Sequence, residues 1–255
     1  MGFRYALELA YRGTDYHGWQ IQPNASSVQE ELECRLSRLE GNVPVAVTGC
    51  GRTDTGVHAS YYVAHFETEK ELDCAQLVYK LNKMLPEDIA VFSAQKVDEA
   101  FHARFSATAR TYHYFVNREK NPFAMDSWHL PQQVDFEAMN RAAAHLVGKQ
   151  DFTSFSKLHT DVKTNICTVY KAGWIQQNDQ SWFFEIQADR FLRNMVRAVV
   201  GTLLDVGYGK LAEEQIPEII ALKDRGEAKL SVPAKGLFLV DVEYPAALFS
   251  KIKRK

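Results

Sequence analysis

The stretch GCGRTDTGVHA, residues 49–59, sets Arg52 and Asp54 two positions apart among glycines. A carboxylate so placed can serve as nucleophile or as acid/base group. An aspartic protease needs two carboxylates sharing one proton. The chain holds a single Asp-Thr-Gly, so that chemistry would require a two-fold dimer. Arg52 and Thr53 also stand where apolar strand residues belong, and a neighbouring guanidinium favours the ionised carboxylate over proton sharing. A phosphate loop fits no better. Gly49, Gly51 and Gly56 match neither GxGxxG nor GxxxxGK[ST], and the segment leads into a strand rather than a helix N-terminus. The plainest reading is a tight turn, with Gly51 and Gly56 supplying unusual dihedrals and Arg52 and Asp54 forming a surface pair. It leaves unexplained the stretches that accompany the turn along the chain.

The remaining chemistry-bearing residues are mostly basic. The formal net charge is −2, so a polyanionic partner would need a local basic surface. Arg104, Arg110, Arg118 and Lys120 form one cluster, Arg190, Arg193 and Arg197 a second, and the tail KIKRK a third. Cys34, Cys50, Cys74 and Cys167 have no CxxC spacing, and the histidines form no HExxH, so no metal site is expected. The scattered thiols suit a reducing cytoplasm. The opening MGFRYALELAY has no basic segment followed by an apolar run, and no stretch is long enough to span a bilayer. The expectation is a cytoplasmic protein with no membrane partner.

The elements that must carry these residues follow from periodicity. FRYALELAY alternates as a half-buried strand. SSVQEELECRLSRLEG changes to helical spacing, with Val28, Leu32, Leu36 and Leu39 on one face, a Ser27/Glu30 capping box and Gly41 as stop. VPVAVTG and VHASYYVAHFET read as strands, CAQLVYKLNKMLP as a helix ended by Pro86, and IAVFSAQKV as a strand. The first hundred or so residues thus run β-α-β-β-α-β, the ferredoxin-like order that RNA-recognition modules share. The second part repeats it with ARTYHYFVN, the helix DFEAMNRAAAHLVG, a hairpin turning at Asn178-Asp179, the long helix FLRNMVRAVVGTLLDV, an inserted helix in AEEQIPEIIALKDRG and the closing strand LFLVDVEY. The predicted fold is α+β: two ferredoxin-like, RRM-like units, 1–103 and 104–255, with mainly antiparallel sheets flanking a central cleft suited to a ligand.

YRGTDYHGWQIQPN followed by SVQEELE, then GRTDTGVHA, FHARFSATARTYHY, DFTSF and FLRNMVR, closely resemble the tRNA pseudouridine synthases of the TruA type. The resemblance runs in order from about residue 5 to about residue 245. Thr55 stands where relatives often have alanine, Asn194 where many have histidine, and Asp189-Arg190 is an unusually charged pair. The resemblance implies an isomerase that turns uridine into pseudouridine at positions 38–40 of the tRNA anticodon stem-loop, without a cofactor and as a homodimer. The glycosidic bond to N1 breaks and the base rejoins the ribose through C5. It implies that Asp54 is the nucleophile, whether toward C1′, toward C6 or as a base at the 2′ position. Arg193 would hold that carboxylate ionised, and Tyr112 would stack on the target base and could take the C5 proton. Arg52 would help extrude the nucleotide. Of two nearby tyrosines on one strand face, Tyr114 is the expected core residue. His58 and Phe155 are expected to meet the substrate, and Arg104, Arg110, Arg190 and Arg197 to contact phosphates, which position RNA without reading its sequence. The rival function is a non-catalytic RNA-binding module, which would have no need of a nucleophile.

Overall fold

The computed structural model describes residues 2–157, 164–228 and 230–251. Residues 252–255 of the basic tail therefore lie outside the described residues. The chain divides into two compact units, Met1–Thr108 with Leu239–Lys255, and Ala109–Phe238. It is an α+β protein with mostly antiparallel strand pairing. Where the sequence reading drew one boundary at 103/104, the last strand returns to the first unit.

The first unit contains β1 (Phe3–Tyr11), α1 (Val28–Leu39), β2 (Val47–Gly49), β3 (His58–Thr68), α2 (Cys74–Met84) and β4 (Ile89–Val97). Its strands run β4-β1-β3 with β2 on the far side of β3, all antiparallel neighbours. The closing strand β10 (Leu237–Glu243) also lies against β3. Both helices start where capping chemistry places them. Ser27 accepts from the Glu30 N–H at 3.3 Å, and Asp73 from those of Ala75 and Gln76 at 2.9 and 3.1 Å. α1 buries Val28, Leu32 and Leu36, and α2 buries Leu77 and Leu81. β1 is more deeply enclosed than its alternation suggested, because it is central. Ala6 and Glu8 are buried along with Leu7 and Leu9. The Glu8 carboxylate is tolerated there because the hydroxyls of Tyr61 (2.6 Å) and Ser93 donate to it.

The second unit contains β5 (Ala109–Asn117), β6 (Trp128–His129), α3 (Phe136–Ala144), β7 (Gly148–Asp151), β8 (Ile166–Asn178), β9 (Ser181–Ala188), α4 (Met195–Gly207) and α5 (Gln215–Leu222). Its strands run β5-β9-β8-β7, and β6 adds to β5 in parallel. The short strands β6 and β7 were not anticipated. The β8–β9 hairpin turns where expected, with Asn178 Oδ1 accepting from the Gln180 N–H at 2.9 Å. α4 begins four residues later than its sequence pattern, because Asn194 adopts a left-handed conformation with φ 66°. Asparagine is among the few residues that take this conformation readily.

Candidate active site

Asp54 sits in the loop between β2 and β3, and YRGTDYHGWQ fixes that loop from outside. The Thr53 carbonyl accepts from the Trp19 N–H at 3.3 Å, and Gly56 N–H donates to the Tyr16 carbonyl at 3.2 Å. Thr53 Oγ1 is hydrogen-bonded to the Tyr11 hydroxyl at 2.8 Å, and the Tyr62 hydroxyl donates to the Gly51 carbonyl. Val57 N–H donates to the Asp54 carbonyl at 3.1 Å, closing a turn in which Gly56 has φ 77°. Gly51 is not left-handed; of the two glycines named for unusual dihedrals, only Gly56 needs one. The rings of Trp19 and Tyr62 stack at 4.2 Å, with Tyr11 edge-on to Tyr62 at 5.4 Å. These rings support the loop from its buried side. The two stretches approach so closely that Gly18, at φ 95°, has no room for a side chain: a Cβ would lie 2.3 Å from the Thr53 carbonyl oxygen.

The consequence is an alternation along the loop. Thr53 is buried, Asp54 half-buried, and Arg52 and Thr55 exposed. A carboxylate at the edge of solvent is thus carried on backbone held from both flanks, the condition for a preorganised nucleophile. The YRGTDYHGWQ stretch, which carried the resemblance without a role of its own, is the clamp. Its aromatic residues and close glycines were the available signal.

His58 is fully buried, and its Nδ1 accepts from the Gly13 N–H at 3.1 Å. The imidazole joins the two motifs inside the unit. Phe155 is likewise buried, in the turn Thr153–Phe155, with its ring 6.2 Å from that of Phe152. That turn packs on α4 and α5, which places Phe155 among the core residues of the unit.

Tyr112 lies on β5 opposite Ile186 of β9. It is 8% exposed, and its ring meets that of half-exposed Phe191 edge-to-face at 5.0 Å. Tyr114, two residues on, is fully buried and donates its hydroxyl to the Pro233 carbonyl at 2.9 Å. Burial raises the Tyr114 pKa, against a smaller opposing effect of the nearby Arg197 guanidinium. The late start of α4 separates the two arginines of FLRNMVR. Arg193 precedes the helix and is exposed, with its carbonyl accepting from the Lys157 N–H at 3.0 Å. Arg197 is half-buried in the first turn of α4; its Nε donates to the Val232 carbonyl at 2.7 Å, and its own carbonyl accepts from Val232 N–H at 3.2 Å. Asn194 Nδ2 donates to Ser231 Oγ at 2.5 Å, tying the same segment to the helix start.

Arg110 donates to the Asp189 carbonyl at 3.1 Å. The Asp189 carboxylate accepts the backbone N–H groups of Thr168 and Arg190 at 2.8 and 2.7 Å. The charged Asp189-Arg190 pair thus begins as a brace at the end of β9, with Arg190 half-buried beside it. Arg104 is exposed in the first unit. Cys34, Cys50, Cys74 and Cys167 are not joined in disulfides. Among the described residues no three His, Cys, Asp or Glu side chains are grouped to hold a metal ion, and no helix is long and apolar enough to cross a membrane.

The family model described as tRNA pseudouridine synthase matches residues 9–106 and 142–245. These intervals contain the aspartate loop, its clamp and α4. The chain is 53% identical over 255 residues to the tRNA pseudouridine synthase A of Bacteroides thetaiotaomicron, covering 99% of this chain and 94% of that one. It is 50% identical to the Porphyromonas gingivalis protein of the same name, covering 96% and 99%. For that of Acetivibrio thermocellus the identity is 41%, covering 93% and 98%. A match of this extent, together with the clamped aspartate loop, settles the family: this chain belongs to the tRNA pseudouridine synthases, isomerases that convert uridine to pseudouridine in tRNA.

Proposed function

We propose that the chain isomerises uridines 38–40 of the tRNA anticodon stem-loop, with Asp54 as nucleophile. The observation that carries this reading is the half-buried carboxylate on a loop braced from both sides by YRGTDYHGWQ. The reaction breaks C1′–N1 and forms C1′–C5; the proton leaves C5 and N1 gains one, so no oxidant or group donor enters. An ionised carboxylate must persist in a closed, water-poor site, which calls for a cation partner. Of the two arginines in FLRNMVR, Arg197 suits that task better than Arg193. Its guanidinium is half-buried and aimed by the Val232 carbonyl, beside the strand that carries Tyr112. Exposed Arg193 suits a phosphate. This reverses the two roles expected from the sequence.

Tyr112 stacks on the target base once Phe191 has yielded its edge, and Arg52, exposed beside the nucleophile, fills the space the nucleotide leaves. Arg104, Arg110 and Arg190 assist on the RNA backbone. The protein works in the cytoplasm as a homodimer. Each unit derives from a ferredoxin-like module, a reading supported by the strand order β4-β1-β3-β2 of the first. The site reading is tested with tRNA carrying tritium at uridine C5. Wild-type protein releases label in proportion to the uridines at 38–40, and replacing those by cytidine abolishes release. Undiminished release from the cytidine-substituted tRNA would move the target elsewhere.

A further inference from the structure

The reaction as described leaves one well-held aromatic side chain in the first unit without a task. Phe105 is 76% exposed. A single exposed apolar residue is ordinary, but this one stands on a loop whose backbone is held at nearly every position. Asp98 accepts from the Phe101 N–H through its carbonyl at 3.0 Å and from the Ala100 N–H through Oδ1 at 2.8 Å. Arg4 donates to the Phe101 carbonyl at 2.7 Å and also to that of Glu99. Ala103 receives the Tyr244 hydroxyl on its carbonyl at 2.7 Å and gives its N–H to His65 Nδ1 at 3.2 Å. His102 Nδ1 accepts from both Arg104 and Phe105 N–H groups, at 3.1 and 3.2 Å. The loop closes through two Ser106–His102 bonds, of 3.0 and 2.9 Å.

On this pedestal the Phe105 ring rests against the His102 ring at 4.3 Å, with the Arg104 guanidinium 5.6 Å from its centroid. Burial lowers the pKa of both His65 and His102, which suits imidazoles that must accept, not donate, at Nδ1. The entropy of holding the display in place is thus lost on folding rather than on binding. A planar apolar face with a cation beside it matches an unpaired base and its phosphate. We infer that Phe105 stacks on an unpaired tRNA nucleotide that is not itself converted, and that Arg104 takes the adjoining phosphate. The contact anchors RNA and takes no part in the chemistry.

The test compares Phe105→Ala, Phe105→Leu and Phe105→Tyr in tRNA filter binding and in steady-state tritium release. Phe105→Ala weakens binding about 5- to 150-fold, the range for one lost stack, and raises KM with kcat unchanged. Tyrosine restores affinity and leucine does not. Arg104→Ala lowers the salt slope of binding by about one. Wild-type affinity in Phe105→Ala, or full rescue by leucine, overturns the inference. A photoreactive benzoylphenylalanine at position 105 should cross-link to tRNA; cross-linking only to a second copy of the chain would assign the surface to protein.

Discussion

Gly18→Ala probes the clamp without touching the carboxylate. A Cβ at this position would lie 2.3 Å from the Thr53 carbonyl oxygen, where ordinary contact begins at 3.4 Å. The neighbour is backbone, so one of the two loops must move by about 1 Å. The residue would also sit at φ 95°, a left-handed conformation that costs a side chain about 1–3 kcal/mol. Strain and overpacking together destabilise by about 2–6 kcal/mol. That is less than the roughly 10 kcal/mol typical of a folded domain, so the variant stays native at room temperature. The 1 Å displacement falls on the peptide preceding Asp54. Misplacement of that size costs on the order of 10²-fold in rate. Urea denaturation should report the lost stability, and single-turnover tritium release a drop of about two decades, with tRNA affinity within a few-fold. A Gly18→Ala protein with unaltered rate and stability would refute the claim that this contact positions the aspartate.

Tyr11→Phe removes the hydroxyl bonded to Thr53 Oγ1 at 2.8 Å and should cost about 1 kcal/mol in urea melts, with a modest fall in kcat. Asp73→Ala deletes the α2 cap and should cost about 1 kcal/mol with kcat unchanged, a control for stability loss away from the site. His65, chiefly through burial, has its pKa lowered to about 4 in the folded protein, from 6.5. The unfolded chain therefore binds the extra proton first. Stability should be fully present above pH 6.5 and fall as pH drops toward 4, and His65→Asn should flatten that slope in denaturation measured across the window. Arg197→Lys should lower kcat by at least about 10²-fold while Arg193→Ala mainly raises the KM for tRNA; the opposite pattern would restore the original assignment.

The sequence carried the motifs and most of the long elements, because periodicity and capping are local. Ser27, the β8–β9 turn and the strand face of Tyr114 were legible on those terms. What it hid depended on partners remote in the chain. His58 looks like a surface imidazole close to Asp54 in sequence, yet it accepts from a backbone N–H 45 positions away. Phe155 follows a serine and a threonine that suggest a loop, but α4 and α5 cover it. FLRNMVR has helical spacing throughout; the left-handed Asn194 interrupts it and gives Arg193 and Arg197 different surroundings. The strands β6 and β7, of two and four residues, are too short to show a period. The final strand could be recognised as a strand, but nothing in its residues says which unit it joins.

The central claim is that the carboxylate of residue 54 performs the chemistry. Its most direct test is single-turnover tritium release by Asp54→Asn at saturating protein, alongside tRNA binding by the same preparation. Release should fall about 10⁴-fold or more, the scale of losing a nucleophile, while affinity stays within a few-fold of wild type. Release near the wild-type rate, or loss of binding in step with loss of rate, would contradict it.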